Sequence, residues 1–239
     1  GYTGKLELTK DENGVVTAAE LTNTLNVGKI QIAKLFSGDL DDTKLTDAQK
    51  RQITFTIAGP DGYNGPTSVT YDQFTAGSYV VKNAPYGTYT ITETNAAFDG
   101  YKNTVTYAVG ASKNDTDATV EISSDATSLV TITNTYTAYV NISGTKVWDD
   151  NDNQDGLRPN NITVIVKNGD TEVDRKTVTP DAAGNWAYSF ENLPKYDAAG
   201  NAITYTVSEA KVTGYNTQIT GSIESGFTIK NTHTPETID

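Results

Sequence analysis

Polar and apolar residues alternate with a period of two along most of the chain, the pattern of β-strands that bury one face. From Val27 onward, Ile30, Ile32, Lys34 and Phe36 fall on one face, and Lys29, Gln31, Ala33 and Leu35 on the other. The same reading predicts strands over 52–58, 67–74, 78–83, 88–93, 101–109, 119–123 and 129–135, with a polar loop at 110–118. Later strands are predicted over 161–167, 172–179, 185–190, 205–209 and 227–232. One helix candidate stands out, residues 39–51, with Thr46 placed to cap Asp47, Ala48, Gln49 and Lys50.

A closing pattern occurs three times: Leu21-Thr22-Asn23-Thr24, Ile132-Thr133-Asn134-Thr135 and Ile229-Lys230-Asn231-Thr232. Each follows a Gly-Tyr pair, at Gly1-Tyr2, Gly100-Tyr101 and Gly214-Tyr215. The later two copies close a full domain's worth of chain, and the first has none before it. The expected organisation is therefore the closing strands of an upstream domain at 1–26, a domain at 27–138 and a domain at 139–239, joined with almost no linker.

Composition narrows the class. Thr, Val, Ile, Tyr, Gly and Asn are plentiful in these 239 residues, which argues all-β. A net charge of -12 without basic clusters disfavours nucleic acid and anionic membranes as partners. Cysteine is absent, so disulfides, thiolate catalysis and cysteine metal sites are excluded. Methionine is absent too, position 1 included, as expected of a piece of a longer protein. A cysteine-free β chain rich in Thr and Asn fits an exported bacterial surface protein whose stability comes from something other than disulfides.

Candidate chemistry lies on the apolar faces. Lys34 shares its face with two isoleucines and Phe36; Glu93 with Tyr89 and Ile91; Asn134 with Val130 and Ile132. The second domain repeats the set: Lys146 with Ile142, Gly144 and Trp148; Glu209 with Tyr205 and Val207; Asn231 with Phe227 and Ile229. Burial pushes a lysine and a glutamic acid toward their neutral forms. A neutral amine can attack the asparagine side-chain amide while a protonated carboxyl stabilises the carbonyl oxygen and passes a proton to departing ammonia. The product is an isopeptide bond, Lys34 to Asn134 and Lys146 to Asn231, with Glu93 and Glu209 as catalysts. Each site reacts once and nothing turns over. Alternatively, the lysines snorkel from strand ends and the Glu and Asn positions are ordinary polar edges. Two triads in the same order and facing argue against that.

These residues carry a resemblance. Gly144-Thr145-Lys146-Val147-Trp148-Asp149-Asp150, Gln154-Asp155-Gly156 through Arg158-Pro159, Tyr205-Thr206-Val207-Ser208-Glu209 and Ile229-Lys230-Asn231-Thr232 resemble the motifs of Cna B-type (SpaA-like) isopeptide-containing domains of Gram-positive pilins and surface adhesins, over residues 139–235. Tyr89-Thr90-Ile91-Thr92-Glu93-Thr94 with Gly100-Tyr101 looks like the pilin E-box, and Ile132-Thr133-Asn134-Thr135 like the closing strand, over about 27–138 with looser spacing. The resemblance implies tandem β-sandwiches of inverse immunoglobulin-like, transthyretin-like topology in an extracellular, cell-wall-anchored stalk. It implies the same bonded Lys and Asn and the same catalytic Glu. Asn23 matches the bonded Asn without its Lys and Glu, an orphan cross-link position. Neither a Leu-Pro-x-Thr-Gly sorting signal nor a Tyr-Pro-Lys pilin motif is present.

Expected partners are other domains or subunits of the same surface protein or pilus. The rival reading is an adhesive module that binds a host extracellular-matrix protein or glycan through a face rich in the 14 tyrosines. No cofactor or metal is expected. Asn151, Asn153, Asp155 and Gly156 resemble half a calcium loop, but position 162 carries Ile where the bidentate glutamate belongs. His233, the single histidine, is expected to be solvated, with no partner for a catalytic triad or a metal site.

Overall fold

The computed structural model describes residues 1–234. It divides into two compact units, Gly1–Thr137 and Ala138–Asp239. Strands dominate both, and the elements follow the apolar alternation.

The first unit opens with an antiparallel hairpin, β1 (Tyr2–Lys10) and β2 (Val16–Leu25). One hairpin face carries Tyr2, Leu6 and Leu8 opposite Leu25, Leu21 and Ala19, and Asn23 lies opposite Gly4 on that same face. Tyr2, Leu6, Leu8 and Leu21 are all exposed.

The sandwich proper begins with β3 (Val27–Gly38), followed by α1 (Asp47–Gln52), β4 (Thr54–Ala58), β5 (Ser68–Thr70), β6 (Ser78–Pro85) and β7 (Gly87–Thr94). Then come β8 (Tyr101–Val109), β9 (Ser112–Asn114), β10 (Ala118–Ile122) and β11 (Thr127–Asp149), whose first part closes this unit. One sheet runs β10-β7-β4-β5; the other places β11 between β3 and β8, with β6 on the far side of β3. Strands β3 and β11 are parallel, Lys34 opposite Ile132 and Phe36 opposite Asn134. Between the sheets Ile30, Ile32, Phe55, Ile57, Tyr89, Ile91, Val130 and Ile132 form one core. Burying apolar side chains of this size is the main force holding the sheets face to face, at roughly 1.5–3 kcal/mol each.

In the second unit β11 continues, followed by β12 (Ile162–Asn168), β13 (Thr171–Val178), β14 (Trp186–Pro194), β15 (Tyr205–Glu209), β16 (Asn216–Ser222) and β17 (Gly226–Thr232). Sheet β13-β12-β15 faces a sheet in which β11 pairs with β14 and β17, and β17 with β16. Strands β11 and β17 are parallel, with Lys146 opposite Ile229 and Trp148 opposite Asn231. The lysine-to-asparagine offset is that of the first unit. Hairpin β16–β17 sets Thr217 opposite Asn231, three residues past its Gly-Tyr glycine, as β1–β2 sets Gly4 opposite Asn23.

Three local expectations change. The helix spans Asp47–Gln52, not 39–51. Thr46 and Gln49 exchange hydrogen bonds in a capping box, Gln49 N donating to Thr46 Oγ1 at 3.2 Å and Thr46 N to Gln49 Oε1 at 2.9 Å, which fixes the start. Upstream, Asp41 accepts from Thr43 N in a turn, and Leu40 and Leu45 turn into the core at a spacing no helix face repeats. The strand expected over 67–74 ends at Thr70 and passes into a 3-10 turn, Tyr71–Gln73, because Gln73 Oε1 accepts from Thr70 N. The polar loop at 110–118 contains β9, paired with β8.

Candidate functional site

In the first unit Lys34 and Asn134 come from the paired parallel strands β3 and β11, and Glu93 comes from β7 in the facing sheet. Lys34 Nζ lies 3.3 Å from Glu93 Oε1, with the two side chains 0% and 1% exposed. The amine also donates to the carbonyls of Leu35 (3.3 Å) and Ile132 (3.5 Å) and lies 4.5 Å from the centre of the Phe36 ring. Glu93 is tied by its backbone, whose N–H donates to the Tyr107 hydroxyl at 2.8 Å. Asn134, fully buried, donates from Nδ2 to the Tyr136 hydroxyl at 3.2 Å.

The second unit repeats this with Lys146 and Asn231 on β11 and β17 and Glu209 on β15 opposite them. Lys146 Nζ lies 3.3 Å from Glu209 Oε1, both side chains fully buried, and 4.3 Å from the Trp148 ring. Thr217 Oγ1 donates to Glu209 Oε2 at 3.0 Å. Gly144 is required here, because a Cβ would fall 2.3 Å from the Tyr188 hydroxyl and from the Phe227 carbonyl oxygen. The Tyr188 hydroxyl is buried beside the site, and Glu209 raises its pKa further, though burial is the larger cause.

Buried polar groups normally find hydrogen-bond partners. Among the described residues most of the exceptions lie at these two sites: both Glu93 oxygens, Asn134 Oδ1, Lys146 Nζ, Glu209 Oε1, and Asn231 Nδ2 and Oδ1. Desolvation lowers both lysines to about 8, against a partly compensating attraction from the glutamates. Burial pushes the Glu93 carboxyl up. Each site therefore holds an amine that loses its proton readily, next to an asparagine amide and a carboxyl, screened from water.

Asn23 stands apart. It is exposed on the apolar face of β1–β2, and its Oδ1 would lie 3.3 Å from a Cβ on Gly4.

Two features depart from the sequence pattern. His233 is not a free solvated side chain: its Nδ1 contacts the Gly214 carbonyl at 2.7 Å, its Nε2 lies 2.9 Å from Asp155 Oδ2, and its ring packs on Tyr215. The Asp155 contact raises its pKa. Asp150, which strand alternation does not single out, is buried and closes the 150–158 loop. It accepts from Arg158 Nε (3.0 Å) and Nη2 (2.6 Å), from the Tyr215 hydroxyl (2.8 Å) and from Asn153 N (3.0 Å). Among the described residues no cluster of three or more His, Cys, Asp or Glu could hold a metal ion.

The Arg158 hydrogen bonds hold the Asp150 carboxyl down to about 2. Its stabilisation is therefore fully present above the ordinary carboxylate range and is lost as pH falls toward about 2. Asp150→Ala leaves Arg158 and Tyr215 without their acceptor and is expected to cost the second unit about 2–3 kcal/mol at neutral pH. Denaturant unfolding followed by fluorescence reads this directly, since both tryptophans, Trp148 and Trp186, lie in that unit.

Residues 142–232 match the Cna protein B-type domain, and residues 30–137 match a domain of unknown function, DUF5979. The chain is 46% identical over 105 residues to a collagen adhesin of Staphylococcus aureus, covering 44% of this chain and 8% of that protein's length. Among solved structures, a single B repeat unit of the collagen binding surface protein of Staphylococcus aureus aligns over 87% of this chain and all of its own, at 22% identity and a TM-score of 0.38. The shaft pilin spaA from Lactobacillus rhamnosus GG aligns over 89% of this chain and all of its own, at 17% identity and a TM-score of 0.30. This all-β chain thus matches the Cna protein B-type domain over residues 142–232, and the β-sandwich before it matches a separate domain family of unknown function over residues 30–137.

Proposed function

We propose that the chain is a structural segment of an extracellular bacterial surface protein, a pilin or adhesin stalk anchored to a Gram-positive cell wall. In this reading each domain locks itself with one isopeptide bond, Lys34 to Asn134 and Lys146 to Asn231. The observation that carries the reading is the recurrence, at one register, of a buried lysine 3.3 Å from a buried glutamate, with a buried asparagine at the next inward position of the neighbouring parallel strand. Burying such groups unreacted is costly. Condensation removes the cost: the Nζ lone pair forms the new C–N bond, the Asn C–N bond breaks, and the amine proton leaves with ammonia. Glu93 and Glu209 relay that proton and stabilise the oxygen as charge develops. Folding supplies the proximity.

Residues 1–26 are read as the closing hairpin of a further domain of this kind, supported by the shared register of Asn23 and Asn231 and by the exposed apolar face. Asn23 is then the cross-link position of that domain.

Intact mass spectrometry of the purified chain tests the central reading. Loss of two ammonia molecules is expected, and the unmodified mass would rule it out.

The rate of condensation should also depend on pH in a bell. The reactive pair holds one proton between amine and carboxyl, so its population is set by the pair's apparent pKa values and not by either group alone. Below the raised Glu93 pKa both groups are protonated and the amine cannot attack. At higher pH, reached early because burial lowers the lysine, the pair loses its last proton and with it the acid. Timed aliquots from cell-free synthesis at several pH values, read by peptide mapping, measure the profile; a rate that climbs steadily into strong alkali contradicts the proton relay.

A further inference from the structure

Tyr136 lies two residues beyond Asn134 on the same strand and is fully buried among Phe36, Phe98 and Tyr101. Its hydroxyl lies 2.8 Å from the Ala96 carbonyl oxygen. A carbonyl oxygen only accepts, so the single hydroxyl proton is committed there, and toward Asn134 the tyrosine oxygen can only accept. The asparagine atom facing it at 3.2 Å must then be the donor, Nδ2. The amide plane is thereby fixed, with Oδ1 on the opposite side and without a hydrogen-bond partner, and with Nδ2 toward both the Tyr136 hydroxyl and the Glu93 carboxyl.

The second unit lacks this device. The residue at the same offset from Asn231 is His233, whose ring turns to Gly214 and Asp155, and the Asn231 amide has no hydrogen-bond partner on either atom.

We propose that Tyr136 is a positioning residue for condensation at the first site, its hydroxyl holding the leaving nitrogen of Asn134 on the side of the Glu93 carboxyl that delivers its proton. This rests on the reading that Lys34 and Asn134 condense. The atom balance is unchanged by it: the Nζ–C bond forms, the C–Nδ2 bond breaks, the amine proton passes through Glu93 to ammonia, and the Tyr136 proton stays on its own oxygen, hydrogen-bonded to the Ala96 carbonyl. Losing one such hydrogen bond allows the amide to flip into an unproductive orientation, a cost that corresponds to about a threefold to tenfold slower reaction.

The test uses the full chain, made by cell-free synthesis, quenched at intervals and mapped by mass spectrometry so that each site is read separately. Tyr136→Phe keeps the ring packing and is expected to slow joining of Lys34 to Asn134 by about threefold to tenfold. In the same molecules the joining of Lys146 to Asn231 should keep its wild-type rate. Tyr89→Phe is the control, since it removes another buried hydroxyl bond, to the Pro85 carbonyl at 2.9 Å, away from the site. An unchanged rate in Tyr136→Phe, an equal slowing in Tyr89→Phe, or a slowing at both sites overturns the proposal. If wild-type Lys34 and Asn134 stay unjoined, the condensation reading itself fails and the role of Tyr136 falls with it. Side-chain amide exchange gives a second reading that does not need turnover. In a Glu93→Gln background the Asn134 Nδ2 protons should exchange slowly with Tyr136 present and faster with Tyr136→Phe, and equal exchange also overturns the proposal.

Discussion

A chain carrying Glu93→Gln is expected to lose one ammonia instead of two, with Lys34 and Asn134 recovered on separate peptides while Lys146 and Asn231 remain joined. Glu209→Gln should give the mirror result. The glutamine is close in shape and can still hydrogen-bond, but it can neither give up a proton to the amide oxygen nor carry one from amine to ammonia. General acid–base assistance is worth roughly 100-fold to 10,000-fold, enough to turn a reaction complete within a preparation into one that is barely begun. Glutamine also leaves the buried lysine without a counter-charge. Because burial already draws Lys34 down to about 8, the amine answers by deprotonating, and the domain is expected to stay folded. Asn134→Ala provides the check, since it keeps the Lys34–Glu93 pair, removes the electrophile and should likewise lose one ammonia. A Glu93→Gln chain that still sheds two would remove the carboxyl from the mechanism.

Much of this site is legible in the sequence alone, because its residues break a regular pattern. Strand alternation places Lys34, Glu93 and Asn134 on apolar faces, and a period of two leaves no freedom about which side they occupy. Their burial follows from the isoleucines beside them. The helix comes out too long from sequence because residues 39–46 carry no strand alternation to set them apart from it, whereas the Thr46–Gln49 capping box decides where the first turn begins. Asp150 and His233 are not legible for a different reason. Their partners, Tyr215, Gly214 and Asp155, lie far off in sequence, and no periodicity links a loop carboxylate or a strand-end imidazole to them. Tyr136 is hidden by its own regularity. It continues the inward face of β11 as a core aromatic would, and only the hydroxyl proton it donates to the Ala96 carbonyl separates an orienting hydroxyl from a packing ring.

Pulled from its two ends, the wild-type chain should show no unfolding step from either sandwich, whereas each Glu→Gln variant should restore one step of about 300 Å. In the first unit tension enters along β3 and leaves along β11; in the second it enters along β11 and leaves along β17. Both pairs are parallel neighbours, so the ladders are loaded in shear. Without a cross-link, rupture of that ladder releases all the chain between the paired strands, roughly 85 to 100 residues at about 3.3–3.6 Å each. With it, force passes from Lys34 straight to Asn134, or from Lys146 straight to Asn231, and everything folded between carries no load. The same closure should also raise equilibrium stability, by about 4–5 kcal/mol for a loop of this length in the chain-entropy account. That gain is modest beside the mechanical one, because a stabilised ladder still yields to sustained force, while a covalent bypass takes the ladder out of the load path. Single-molecule stretching of wild type, the two single variants and the double variant should therefore give zero, one, one and two long steps. Long steps in the wild-type chain would place the bonds elsewhere or nowhere.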